Sequence, residues 1–170
     1  MVFFNEVDVE YTMWGNWVGT IPKLRPQWKI LHEFKPLSYE SSAAYTTPVS
    51  MRVVCNKRQV LKIDFPGPNM RLTTLQRAPH QYAIVCKAPE TGARWRSGDW
   101  CKVEISHEKE GNDKFTLAMS VGGQEVGRLA SVSPLLRKLT DIKIYIGAEE
   151  DDFADSQHGI IRGLVVLEKP

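Results

Sequence analysis

Little in this sequence commits it to a familiar chemistry. Its three cysteines, Cys55, Cys86 and Cys101, have no second cysteine or histidine two to four residues away, which excludes the usual zinc spacings. Charge of neither sign is in excess. The formal net charge is +2 with acidic and basic residues interspersed, so no broad field exists to hold nucleic acid or an anionic membrane, and neither is an expected partner. No apolar run approaches the ~20 residues that cross a bilayer, and Val2-Phe3-Phe4 is too short for a signal-peptide core. A secreted form would therefore carry no leader in this sequence. No serine or cysteine sits in a Gly-x-Ser-x-Gly context, so hydrolysis by a nucleophile and a histidine has no support. A convincing helical period is also missing throughout.

What is present is strand alternation. In Trp100 to Leu129, Cys101, Val103 and Ile105 alternate with Lys102, Glu104 and Ser106, and Phe115, Leu117, Met119 and Val121 with Lys114, Thr116, Ala118 and Ser120. Gly111-Asn112 and Gly122-Gly123 fall where hairpins need residues that tolerate positive φ. Upstream, Glu6 to Tyr11 reads as a short edge strand, Val18 to Leu24 as another strand after a turn, and Gln27 to Lys35 as a strand stopped by Pro36. Val49 to Cys55, Val60 to Phe65, Met70 to Leu75 and Gln81 to Lys87 read as four closely spaced strands, and Asp141 to Ile146 and Ile160 to Leu167 as the last two. Pro134 to Leu139 holds at most one short helical turn. With 170 residues and no linker, repeat or second composition regime, residues 1–170 are expected to form a single all-β domain. About eleven or twelve strands at this spacing describe a two-sheet antiparallel sandwich.

The order of certain motifs resembles a known superfamily. A Trp-initiated strand ending in F-K-P (Trp28 to Pro36) precedes L-K-I-D-F-P-G (Leu61 to Gly67) and G-D-W-C-K-V-E-I-S (Gly98 to Ser106). Then come V-G-G-Q-E-V (Val121 to Val126), D-I-K-I-Y-I-G (Asp141 to Gly147) and G-I-I-R-G-L-V-V (Gly159 to Val166). This resembles the concanavalin A-like jelly rolls, in particular the laminin G-like and galectin-like branch, over roughly Trp14 to Glu168. The resemblance implies a recognition module for a glycan or an extracellular protein, in a secreted or extracellular setting. Its alternatives are a glucanase-type glycoside hydrolase on the same fold and a self-assembling sandwich subunit, a homo-oligomer formed through an open sheet edge. The galectin site would need His-x-Asn-x-Arg and Trp-x-x-Glu-x-Arg, and neither occurs here.

Candidate residues follow from chemistry. Trp95 between Arg94 and Arg96 offers a flat apolar face for a sugar ring, flanked by guanidinium donors. Glu149 to Asp155 gathers carboxylates, and the resemblance makes Asp151, Asp152 and Asp155 candidate calcium ligands; a solvated acidic loop is the plain alternative. A glucanase needs two carboxylates facing one cleft on a strand, which Glu150-x-Asp152 in its loop matches poorly. Cys86 closes one strand and Cys101 opens the next, making them a candidate disulfide, or else buried reduced thiols. Trp28 and Trp100 are expected in core or corner packing, and Trp14 and Trp17 as a cover over one end, with an exposed aromatic pair as the alternative. His32 is expected to be buried and hydrogen-bonded to backbone, with His80, His107 and His158 near turns.

Overall fold

The computed structural model describes residues 1–12, 16–36, 49–64, 69–75, 81–86, 99–130, 134–147 and 159–170. They form twelve strands: β1 Val2–Thr12, β2 Asn16–Leu24, β3 Trp28–Pro36, β4 Val49–Cys55, β5 Arg58–Asp64, β6 Met70–Leu75, β7 Gln81–Cys86, β8 Cys101–Glu110, β9 Lys114–Val121, β10 Gln124–Ala130, β11 Leu139–Ile146 and β12 Gly159–Glu168. One 3-10 turn, Pro134–Arg137, occupies the place where a short helical turn is expected.

The strands divide into two six-stranded antiparallel sheets, ordered β1-β12-β3-β8-β9-β10 and β2-β11-β4-β5-β6-β7. The expected all-β sandwich is what the chain adopts. The alternation explains why: Val103, Ile105, Leu117, Met119 and Val121 of the first sheet are buried in one cluster with Met51, Val53, Ile63, Leu72, Ile142 and Ile144 of the second. The β9–β10 hairpin turns on Gly122 (φ 61°) and Gly123 (φ 81°), a backbone that strongly favours glycine.

The edges of the sandwich are closed by contact between sheets. Gly127 of β10 lies so near β7 that a Cβ built there would stand 2.6 Å from the Ile84 Cγ2. Gly127→Ala is therefore expected to destabilise the protein by about 1–3 kcal/mol, the usual range for overpacking. An unchanged urea midpoint would show that β10 slides away freely.

The two ends of the sandwich differ. At one end Trp28, His107 and Phe115 stack face to face, with ring centroids 5.4 and 5.1 Å apart, and the Arg137 guanidinium lies 4.5 Å from the Phe115 ring centre. Trp28 Nε1 donates to the Leu136 carbonyl at 3.2 Å, tying the stack to the 3-10 turn. His107 thus belongs to β8 and the core, a correction to its expected place near a turn: the alternation of Cys101, Val103 and Ile105 runs on through it. Its Nδ1 faces the Pro26 carbonyl, which can only accept, so Nδ1 carries the proton and the buried Nε2 has no partner. Both chain termini are at this end, where the Glu168 amide donates to the Met1 carbonyl at 2.8 Å.

At the other end, β1, β3, β5, β7 and β11 finish, and β2, β4, β6, β8 and β12 begin. Segments 37–48, 87–98 and 148–158 all connect strands there. This long-loop end carries the candidate site.

Candidate binding end

Strand register assembles residues that are far apart in sequence. Trp17 pairs with Tyr145, Tyr145 with Arg52, Arg52 with Lys62, Lys62 with Thr73 and Thr73 with Ala83. Their strand neighbours Met51, Val53, Leu61, Ile63, Leu72, Ile144 and Ile146 point into the core, so this row lies on the outer face of the second sheet. Six strands at about 4.8 Å make it about 24 Å long.

The row is chemically graded. Trp17, at the β2 edge, is 61% exposed, a correction to its expected role as a cover. The Arg52 guanidinium lies 4.9 Å from the centre of the Tyr145 ring, and its Nε donates to the Gly147 carbonyl at 3.1 Å. Two residues after Lys62, Asp64 is 0% exposed and pairs across strands with Arg71. Arg71 Nε and Nη2 donate to its two oxygens at 2.8 and 2.7 Å, and Lys62 Nζ lies 2.8 Å from the same oxygen that receives Nη2. These hydrogen bonds to Asp64 also raise the Arg71 pKa above its ordinary value.

Across the sandwich, the first sheet brings a third aromatic to the same end. Trp100 has the Arg162 guanidinium 3.9 Å from its ring centre and the Lys35 ammonium at 5.7 Å. Arg162 Nε also donates to Glu33 at 2.6 Å. Trp28 fulfils the expectation of core packing, being fully buried, whereas Trp100 is half-buried and capped by cations.

His32 corrects an expectation in a different way. It is buried on the core face of β3, as its alternation requires, yet neither ring nitrogen has a hydrogen-bond partner. Burial alone pushes its pKa down to about 4, so the ring is neutral near pH 7.

Arg94, Trp95 and Arg96, and Asp151, Asp152 and Asp155, lie outside the described residues, as do Trp14, His80 and His158. The strands flanking the first two groups, β7 with β8 and β11 with β12, meet at the long-loop end. Cys55, Cys86 and Cys101 are buried, reduced cysteines in this structure. Burial pushes the Cys101 thiol up to about 11; a hydrogen bond with the Gly122 backbone works against this and the neighbouring Cys86 adds to it. Among the described residues no group of three His, Cys, Asp or Glu side chains is placed to hold a metal, and no helix is long and apolar enough to cross a membrane.

No protein-family model and no curated protein sequence matches this chain. Solved structures do match. The receptor-binding domain of botulinum neurotoxin D superposes with a TM-score of 0.67 at 12% identity, over 99% of this chain and 42% of that one. The type G receptor-binding domain gives 0.64 at 10% identity, over 99% and 42%. An endo-β-1,4-glucuronan lyase from Trichoderma reesei gives 0.60 at 9% identity, over 99% and 87%. The chain spans less than half of those toxin domains and most of the lyase. At such identities the likeness is one of fold: this chain is a β-sandwich like those receptor-binding domains and that glucuronan lyase.

Proposed function

We propose that the protein is a non-catalytic recognition module that holds a glycan, free or displayed on an extracellular protein, at its long-loop end. The observation that carries this reading is the row headed by exposed Trp17 beside Tyr145, with Arg52 and Lys62 following in register. An exposed indole beside a second aromatic gives sugar rings an apolar surface, and the partly exposed Lys62 further along the row supplies donors for ligand oxygens. Arg94, Trp95 and Arg96, in the segment between β7 and β8, offer the same aromatic and cationic chemistry. The toxin domains are named for receptor binding, which suits a module of this kind.

Hydrolysis is the weaker reading. A glycosidase needs two carboxylates about a cleft, and in the described part of this face Asp64 is engaged by Arg71 and Lys62. The deciding experiment is a glycan array probed with the native protein, Trp17→Ala and the double variant Trp95→Ala/Arg96→Ala. Both variants should lose binding with melting temperatures nearly unchanged. Retention of full binding by both would refute the assignment, and release of reducing ends from any polysaccharide would establish the enzyme.

Two proposals attach to the same end. If Asp151, Asp152 and Asp155 hold calcium, millimolar calcium raises the melting temperature, because a ligand bound only by the native state stabilises it; a flat melt removes the site. If Cys86 and Cys101 pair in an oxidising setting, the unfolded oxidised protein shows one free thiol, and three would rule the disulfide out.

A further inference from the structure

Resting on that reading, we infer that the glycan bound at the outer face of the second sheet is an acidic oligosaccharide, whose carboxylate or sulfate is received by Lys62 and Arg71. One buried carboxylate here faces two cations. The Asp64–Arg71 pair is complete by itself, with two nitrogens on two oxygens. Lys62 nevertheless converges on the oxygen that Arg71 Nη2 already occupies, leaving the trio with a net single positive charge. Asp64 is inaccessible, but the Lys62 and Arg71 side chains are 26% and 34% exposed, so the uncompensated charge faces solvent.

The register sharpens this. The direct cross-strand partners of Lys62 are Arg52 and Thr73, and those of Arg71 are Asp64 and Val85, so no second carboxylate stands opposite either cation.

Spacing sets the size of the ligand. Trp17 stands on β2 and Lys62 on β5, three strand intervals apart, or about 14 Å. A ring on Trp17 and an acid at Lys62 therefore belong to different sugar units of one chain lying across the strands. The shared chemistry is an anion on a sugar, and both uronates and sulfate esters supply it.

The test uses hexasaccharides of several backbones on one array, each in neutral, uronate and sulfated form, followed by titration of the hits at about 50 and about 500 mM salt. The acidic forms are expected to bind about tenfold or more tightly than their neutral counterparts at low salt, with the advantage shrinking at high salt. Lys62→Gln, which leaves the Asp64–Arg71 pair in place, should lose about that factor for acidic ligands and distinctly less for neutral ones. The preferred acidic form identifies carboxylate or sulfate as the group received. Equal binding of neutral and acidic forms, or no effect of Lys62→Gln, overturns this inference while leaving the glycan module standing. Binding to no member of the array removes both.

Discussion

Urea titrations at descending pH are expected to show the native protein losing about 3 kcal/mol between about pH 6.5 and pH 4, and His32→Leu losing much less. The unfolded chain protonates His32 near its ordinary value of 6.5, whereas burial holds the folded-state value at about 4. Between those limits the unfolded state binds more protons, so stability falls as the pH falls. Burial is the sole cause of the shift, with no charged neighbour acting on the ring. His107 adds to the same trend, its pKa lowered first by burial and further by Arg137, against the opposing bond from the Pro26 carbonyl. His107→Phe should flatten part of what remains in the His32→Leu background. Near neutral pH, His32→Leu should also raise stability, because two buried nitrogens without partners disappear. Parallel pH profiles for native protein and His32→Leu would show that the ring reaches solvent before it protonates.

The second large effect lies in the floor of the candidate site. Arg71→Met should cost about 3–5 kcal/mol, because it leaves the fully buried Asp64 with Lys62 alone. Asp64→Asn should cost less, about 2 kcal/mol, since the two cations it strands are partly exposed and can hydrate. The double variant should lose less than the sum of the two, the signature of direct coupling. Additive losses measured by urea unfolding would mean that the ion pair contributes nothing through its geometry. These variants test the frame of the site, whereas Trp17→Ala and Lys62→Gln test its use.

How much of this was legible in the chain depends on the range of the contact involved. β8, β9 and β10 follow from alternation and two glycine turns, since each signal lies within a few residues of its partner. The row on the second sheet is invisible to such reading. Arg52, Lys62 and Tyr145 each appear as an ordinary solvent-facing residue; the β4–β5 hairpin aligns the first two, and only the docking of β11 between β2 and β4 brings Tyr145 and Trp17 into line with them. That pairing joins strands some ninety residues or more apart in the chain. Trp17 resembled a cover because tryptophans are usually half-buried, and its position on the outermost strand of its sheet decided otherwise. His32 shows the reverse limit: alternation correctly placed it inside, but only the surrounding side chains determine that nothing bonds to it.

The meeting of Met1 and Glu168 at the end away from the long loops has a geometric consequence. Coupling the protein to a bead or membrane anchor through either terminus points Trp17, Lys62 and Arg71 outward, into the medium being sampled. Closing the Met1-to-Glu168 gap with a short linker would also permit circular permutation, with new termini opened at the exposed Gly111–Asp113 turn, leaving the row of ligand contacts untouched.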